Sequence, residues 1–229
     1  MSHPWPVNNK QANETDRPFV LTRLGNIRAE RMLDLGAGNC AMTIQMAKVV
    51  GATEIHAVDI QNHYTGRDEV EVKFSLGDLN QDLPYPSQYF DLITSRHNIE
   101  HLVDTDKNLS EIYRVLKPGG YLFIETVNLA ALHYRLLLLF GFMPNCLAPS
   151  RYKISPFKGT HEEFPHKSVF TYKALVEVTK KYGFELVSGR SHTIYPLPTF
   201  LGLAICRVWP NIGMFTSLIL RKPVGPTMS

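Results

Sequence analysis

From residue 31 onward, short apolar runs alternate with stretches whose apolar positions recur at helical spacing. That rhythm belongs to a sheet built from strand–helix–strand units. Residues 31–35 read as a first strand ending in Gly36-Ala37-Gly38, and a helix follows over 40–50. Gly51 stops it, since glycine readily takes the left-handed cap conformation. Residues 55–60, 69–74 and 90–94 read as the next three strands. A helix over 105–116 places Leu109, Ile112, Tyr113 and Leu116 along one buried stripe. Lys117-Pro118-Gly119-Gly120 has the composition of a helix cap and turn leading into a fifth strand at 121–126.

Beyond Asn128 the rhythm breaks. Residues 129–142 predict an apolar helix, and 144–165 are irregular and rich in Lys, Arg and His. A helix capped by Thr171 and closed by Gly183 follows, then strands at 184–188 and 217–220. The stretch 194–220 is apolar but carries Pro196, Pro198, Arg207 and Pro210, so it is expected to form core or pocket wall. With 229 residues the chain suits a single domain, with an N-terminal arm over 1–29 and a substrate-side insertion over 128–170.

Composition narrows the classes. The chain is 44% apolar and 20% charged with a net charge of +3, ordinary for a globular protein and too weak to imply nucleic acid. Cys40, Cys146 and Cys206 fit neither a disulfide framework nor a zinc knuckle, so reduced thiols and a cytoplasmic location are expected. Residues 1–16 are polar, so no secretory leader is expected. The longest apolar run, 136–143, is eight residues, well short of the roughly 20 a spanning helix needs.

Gly36-Ala37-Gly38-Asn39-Cys40-Ala41 fits G-x-G-x-x-A, which lets backbone approach a ligand in front of a helix N-terminus. Asp59, 23 residues after Gly36, ends the second strand where an acid can grip ribose hydroxyls. Both features suit a nicotinamide dinucleotide equally. Two further acids do not. Asp34 would repel a pyrophosphate yet suits a cationic amino acid end, and Asp78 is placed to accept from an adenine amine. A nucleoside with a positively charged tail and no phosphates fits all three, as S-adenosylmethionine does.

The segments Leu33-Asp34-Leu35-Gly36-Ala37-Gly38, Ala57-Val58-Asp59-Ile60, Gly77-Asp78-Leu79, Phe90-Asp91-Leu92-Ile93 and Leu116-Lys117-Pro118-Gly119-Gly120-Tyr121-Leu122 stand in register. Together they resemble the class I S-adenosylmethionine-dependent methyltransferases, in particular the type 11 small-molecule group, closely over residues 30–127. The resemblance implies a Rossmann-like α/β fold with helices on both faces of a seven-stranded sheet and an inserted cap. Its strand order would be 3-2-1-4-5-7-6 with strand seven antiparallel. It also implies that Asp34, Gly36 and Gly38 surround the methionine end of the cofactor. Asp59 would hold the ribose, Ile60 pack on adenine, Asp78 and Leu79 meet the adenine edge, and Ser95 lie near the methyl.

Candidates for handling the acceptor follow the fourth strand, in Ser95-Arg96-His97-Asn98-Ile99-Glu100-His101-Leu102. Family members usually carry a Glu-His-hydrophobic triplet here, supplied by Glu100-His101-Leu102. His97 and His101 are the candidate catalytic residues, with His97 nearer the expected methyl; His161 and His166 are secondary. No metal is expected, because one helix could not aim His97, Glu100 and His101 at a single ion. Residues 136–142 and 195–201, with Tyr152, Phe157 and Phe164, are expected to wall a pocket for an aromatic or lipid-like acceptor. Between Arg151 and Arg190 eight Lys/Arg face four Glu, a local +4 that leaves −1 elsewhere. The expected activity is methyl transfer to a small molecule, at oxygen before nitrogen or carbon. The alternatives are a lipid methyltransferase at a membrane surface and a non-catalytic cofactor-binding module. A nucleic-acid amine methyltransferase is not expected, since the Asn/Asp-Pro-Pro-aromatic tetrapeptide is absent after strand four.

Overall fold

The computed structural model describes residues 9–66, 70–147 and 166–225. Seven strands form one sheet in the order β3-β2-β1-β4-β5-β7-β6. They are β1 (Arg31–Leu35), β2 (Glu54–Asp59), β3 (Lys73–Leu76), β4 (Phe90–Arg96), β5 (Leu116–Val127), β6 (Glu185–His192) and β7 (Phe215–Arg221). The first five strands run parallel, and β7 is antiparallel to both β5 and β6. The helices are α1 (Asn9–Leu24), α2 (Ala41–Val50), α3 (Thr105–Val115), α4 (Leu132–Leu139), α5 (Tyr172–Lys181) and α6 (Thr199–Val208), with a 3₁₀ turn at Ile99–His101.

Strand periodicity sorts the core into two layers, because successive side chains leave opposite faces of a sheet. Leu33, Leu35, Ile93, Leu122 and Ile124 pack against Leu109 and Ile112 of α3 and Leu175 of α5. Met32, Leu92 and Phe123 point the other way, onto Val20 and Leu24 of α1 and Ile44, Met46 and Ala47 of α2. Both faces are therefore covered, which parallel strands require. β1 matches its expected span, and Gly51 caps α2 in the left-handed region at φ 74°.

Several expectations are corrected. The third strand starts at Lys73 rather than near 69, because its pairing with β2 begins at His56↔Lys73. Lys117-Pro118-Gly119-Gly120 lies inside β5 rather than in a turn before it. The pairing with β4 slips between Phe90 and Leu92, so these residues form an irregularity within the strand. The apolar helix shortens to Leu132–Leu139. The stretch over 194–220 contains a helix, α6, whose prolines flank it: Pro198 is its N-cap and Pro210 lies beyond its end. Proline is tolerated outside the helix interior, where no N–H is lost. Leu136, Leu138, Leu139, Phe140, Phe142 and Phe200 are largely solvent-exposed, so they do not line an interior wall. Tyr152, Phe157, His161 and Phe164 lie outside the described residues.

Candidate active site

The carboxyl ends of β1, β2 and β4 meet where open α/β sheets bind ligands, beside the turn that follows β1. Gly36, Gly38 and Cys40 all take positive φ, so the chain coils tightly before α2. The Gly36 and Ala37 amides donate to the Val58 carbonyl, and the Cys40 amide closes back on Ala37. Asp59 fastens the loop from the side. Its Oδ2 accepts the Gly38 amide at 2.8 Å and its Oδ1 the Gln61 amide at 3.0 Å. A Cβ built on Gly38 meets nothing within 4 Å, so this side of the loop opens outward.

The other expected cofactor residues occupy distinct surroundings. Ile60 is 63% exposed beside Asp59, an apolar side chain standing in solvent at the rim. Asp78 is exposed and accepts from the Asn80 amide and side chain, whereas Leu79 is buried in the core. Ser95 is fully buried and accepts from Asn98 Nδ2 at 3.3 Å. Asn98 in turn fills the space over Gly36, where a Cβ would come within 2.9 Å of its Cβ and Cγ. Asp34 is buried, with one oxygen taken by Thr43 Oγ1 at 2.5 Å and the other by Thr94 Oγ1 at 2.6 Å. It braces β1 against β4 and the first turn of α2. Burial pushes its carboxyl up, with the two hydroxyls opposing.

Beyond β4 the chain turns through His97, which sits at φ 47°, a left-handed conformation uncommon for a residue with a side chain. Such strain persists only where the surroundings impose it, and it gathers at functional sites. The His97 amide donates to the Glu125 carbonyl at 2.9 Å. Its ring lies between two buried carboxylates, with Nδ1 at 3.6 Å from Glu100 Oε1 and Nε2 at 3.5 Å from Glu125 Oε1. The ring of Phe215 meets it edge-on at 5.0 Å.

Glu125 has no exposed surface, yet every neighbour favours its charge. Arg96 donates twice to Oε1 at 3.1 Å, while His192 Nε2 at 3.1 Å and Ser217 Oγ at 2.5 Å reach Oε2. Burial alone would raise this carboxyl; the His192 hydrogen bond and the charge of Arg96 outweigh it and hold it well below the usual range. Glu100 is similar: burial is overridden by His97 and by Thr126 Oγ1, which donates at 2.7 Å. His101 ends the 3₁₀ turn, and its ring meets that of His166 at 4.9 Å.

His97, expected from sequence, therefore stands with Glu100, and the ring of His101 meets that of His166. Arg96 and Asn98 lie in the segment already singled out after β4, whereas Glu125 and His192 had no motif to mark them. The only sequence signal for Glu125 was a charged residue inside an otherwise apolar strand. A cavity of about 360 Å³ bounded by Arg28, Glu30, Gly51, Thr53 and Asp91 lies at the opposite, amino end of the sheet and takes no part in this site.

Comparison with known proteins agrees with this fold. A family model described as a methyltransferase domain matches residues 10–189. The chain belongs to that family, the class I S-adenosylmethionine-dependent methyltransferases, and is an enzyme of that class. It is 33% identical over 115 residues to a ubiquinone/menaquinone biosynthesis C-methyltransferase of Vibrio vulnificus, covering 46% of this chain and 44% of that protein. The counterpart of Erwinia tasmaniensis is 32% identical, with 46% of each chain covered. The match thus spans less than half the length of these curated relatives. Among solved structures, a chain of a Haloferax volcanii complex between the Trm112 methyltransferase activator and a methyltransferase aligns with TM-score 0.66 at 17% identity, covering 95% and 94% of the two chains. An S-adenosylmethionine-dependent methyltransferase of Mesorhizobium loti aligns with TM-score 0.61 at 15% identity, covering 89% and 96%. At these identities the likeness concerns the fold.

Proposed function

We propose that the protein methylates a small aromatic or lipid-like acceptor, at oxygen before carbon or nitrogen, with His97 taking the acceptor's proton. The observation that supports this most is the placement of His97. It is a strained, partly exposed imidazole at the carboxyl end of β4, faced by two buried carboxylates. A hydroxyl acceptor has to lose a proton as it gains a methyl, and a positioned base contributes roughly 10²–10⁴-fold to such a step. The imidazolium so formed would lie between Glu100 and Glu125.

In this reading Asp34, Gly36 and Gly38 surround the methionine end of the cofactor, Asp59 holds the ribose, Ile60, Asp78 and Leu79 lie around adenine, and Ser95 is near the methyl. The open side of Gly38 and the exposed Ile60 are the features that fit a flat nucleoside. S-adenosylmethionine supplies an electrophilic methyl on a sulfonium whose carbon–sulfur electron pair stays with sulfur. The protein's own work is alignment, exclusion of water and removal of the proton.

The two curated relatives are named C-methyltransferases, and a deprotonated phenol carries charge on ring carbons as well as on oxygen. Turnover of a phenol panel with methyl-deuterated donor, read by mass and carbon NMR, separates ether from ring-methyl products. His97→Ala is expected to lower kcat about 100-fold or more, with donor affinity within about threefold of wild type. A variant keeping more than a tenth of kcat overturns the assignment. Silence across phenols, carboxylates and amines favours a binding module without chemistry.

A second reading rests on the exposed apolar residues of α4 and α6. The first turn of α4 is tied to the loop after α6, since the Leu132 amide donates to the Ile212 carbonyl and Arg135 to the Asn211 carbonyl. Exposed apolar residues of this kind suit an acceptor presented in a membrane surface. Among the described residues no helix is long and apolar enough to cross a membrane. Co-sedimentation with anionic liposomes, lost in Phe140→Ser, supports this reading; no sedimentation by wild type removes it.

A further inference from the structure

We propose that Glu100, His101 and His166 form a binding site for a divalent transition-metal ion, next to the proposed base. One donor atom from each residue falls within 4.8 Å of the other two. Sequence spacing argued against a site made of His97, Glu100 and His101, because a single helix cannot aim those three side chains at one point. The fold supplies the third ligand from elsewhere: His166 arrives 65 positions after His101, on the segment leading to α5.

That segment is clamped to the 3₁₀ turn by backbone. The Glu100 carbonyl accepts the amides of Lys167 at 2.6 Å and Ser168 at 3.1 Å, and Ser168 Oγ donates to the Leu102 carbonyl. The His–Glu–His arrangement is therefore set by main-chain contacts and not by the side chains' own attraction. The second atoms of two ligands are also fixed. His166 Nδ1 lies 2.8 Å from the Cys146 carbonyl, and Glu100 Oε2 accepts from Thr126 Oγ1 at 2.7 Å. A metal-bound histidine almost always gives its other ring N–H to such a carbonyl, which fixes the tautomer and directs Nε2 at the ion.

The donor set names the ion class. Two imidazoles and one carboxylate suit zinc, iron(II), cobalt or manganese, whereas calcium and magnesium prefer all-oxygen shells. Donors about 2.0–2.2 Å from an ion stand roughly 3–4 Å apart, so modest side-chain rotation closes this set. Three protein ligands leave positions open, as in sites that act on a substrate. An ion here would polarise an acceptor oxygen within reach of His97, whose Nδ1 is 3.6 Å from Glu100. That consequence rests on the methyltransferase reading; the binding site does not.

The test uses the full chain, stripped with a chelator and dialysed. Cobalt(II) is followed by visible absorption and zinc by calorimetry, with S-adenosylmethionine binding measured in parallel. One equivalent of each metal is expected, with d–d bands of a nitrogen–oxygen site. His166→Gln and Glu100→Gln should each weaken binding at least about tenfold, with circular dichroism unchanged. His63→Gln, a surface control, should bind as wild type does. If Glu100→Gln fails to fold, His166→Gln decides alone. No metal binding by wild type, or unaltered binding and spectrum in His166→Gln, overturns the site. Donor binding without metal binding leaves the methyltransferase reading intact.

Discussion

Alanine at Gly36 and at Gly38 should separate two properties of the loop. Both glycines lie in the left-handed region, at φ 71° and 55°. Holding alanine there costs about 1–2 kcal/mol, offset by about 0.4–1 kcal/mol from its stiffer unfolded chain. At Gly38 nothing lies within 4 Å of the added Cβ, so the cost ends there, at about 1 kcal/mol. At Gly36 the Cβ meets Asn98 Cβ and Cγ at 2.9 Å. Asn98 Cβ rides on the backbone, so relief requires moving the chain ahead of the 3₁₀ turn, and overpacking of this kind adds about 1–3 kcal/mol. Guanidinium unfolding should therefore place Gly36→Ala about 1–3 kcal/mol below Gly38→Ala. Calorimetry with S-adenosylmethionine should show the reverse emphasis for Gly38→Ala. Its Cβ enters the open side of the loop and should weaken donor binding about tenfold or more, equivalent to about 1.4 kcal/mol. Equal stability of the two variants refutes the steric account of Gly36. Wild-type donor affinity in Gly38→Ala refutes placing the donor over the loop.

Glu125→Gln should lower unfolding free energy by about 3–5 kcal/mol, because it leaves Arg96 and His192 around a neutral group in a buried site. Urea unfolding measures it, and a loss under about 1 kcal/mol refutes a structural role for the charge. His133 provides a pH signature: burial lowers it from 6.5 to about 4, so the folded chain resists protonating it. Its contribution should be intact above about pH 6.5, decline as pH falls toward 4 and level off below, by at most about 3 kcal/mol. The wild-type minus His133→Gln stability difference, followed from pH 7 to 4, should show this slope, and a flat line contradicts it.

The alternation of apolar positions determined both core layers, since Leu33 and Leu35 face one side and Met32 the other whatever the strand order. The glycine turn and the acid ending the second strand were legible for the same reason. Each is a short local pattern, although the loop amide that Asp59 accepts reaches it only through the pairing of β1 with β2. The fifth strand shows the limit. Lys117-Pro118-Gly119-Gly120 has turn chemistry, but Leu116 pairs with Phe90, so the strand begins before it. The site's polar half depends on pairing too. Arg96 stands opposite Glu125 only through the β4–β5 register, and β7 brings Ser217 to the same carboxylate. His101 and His166 meet only because two amides after His166 bond the Glu100 carbonyl. Sequence thus determined the order of the parallel strands along the chain, the helices α2, α3 and α5 and the family, whose signals lie within short segments. Which charges share one buried volume was decided by tertiary structure, because burying a charge is tolerable only beside partners that strand pairing and loop closure bring from far along the chain.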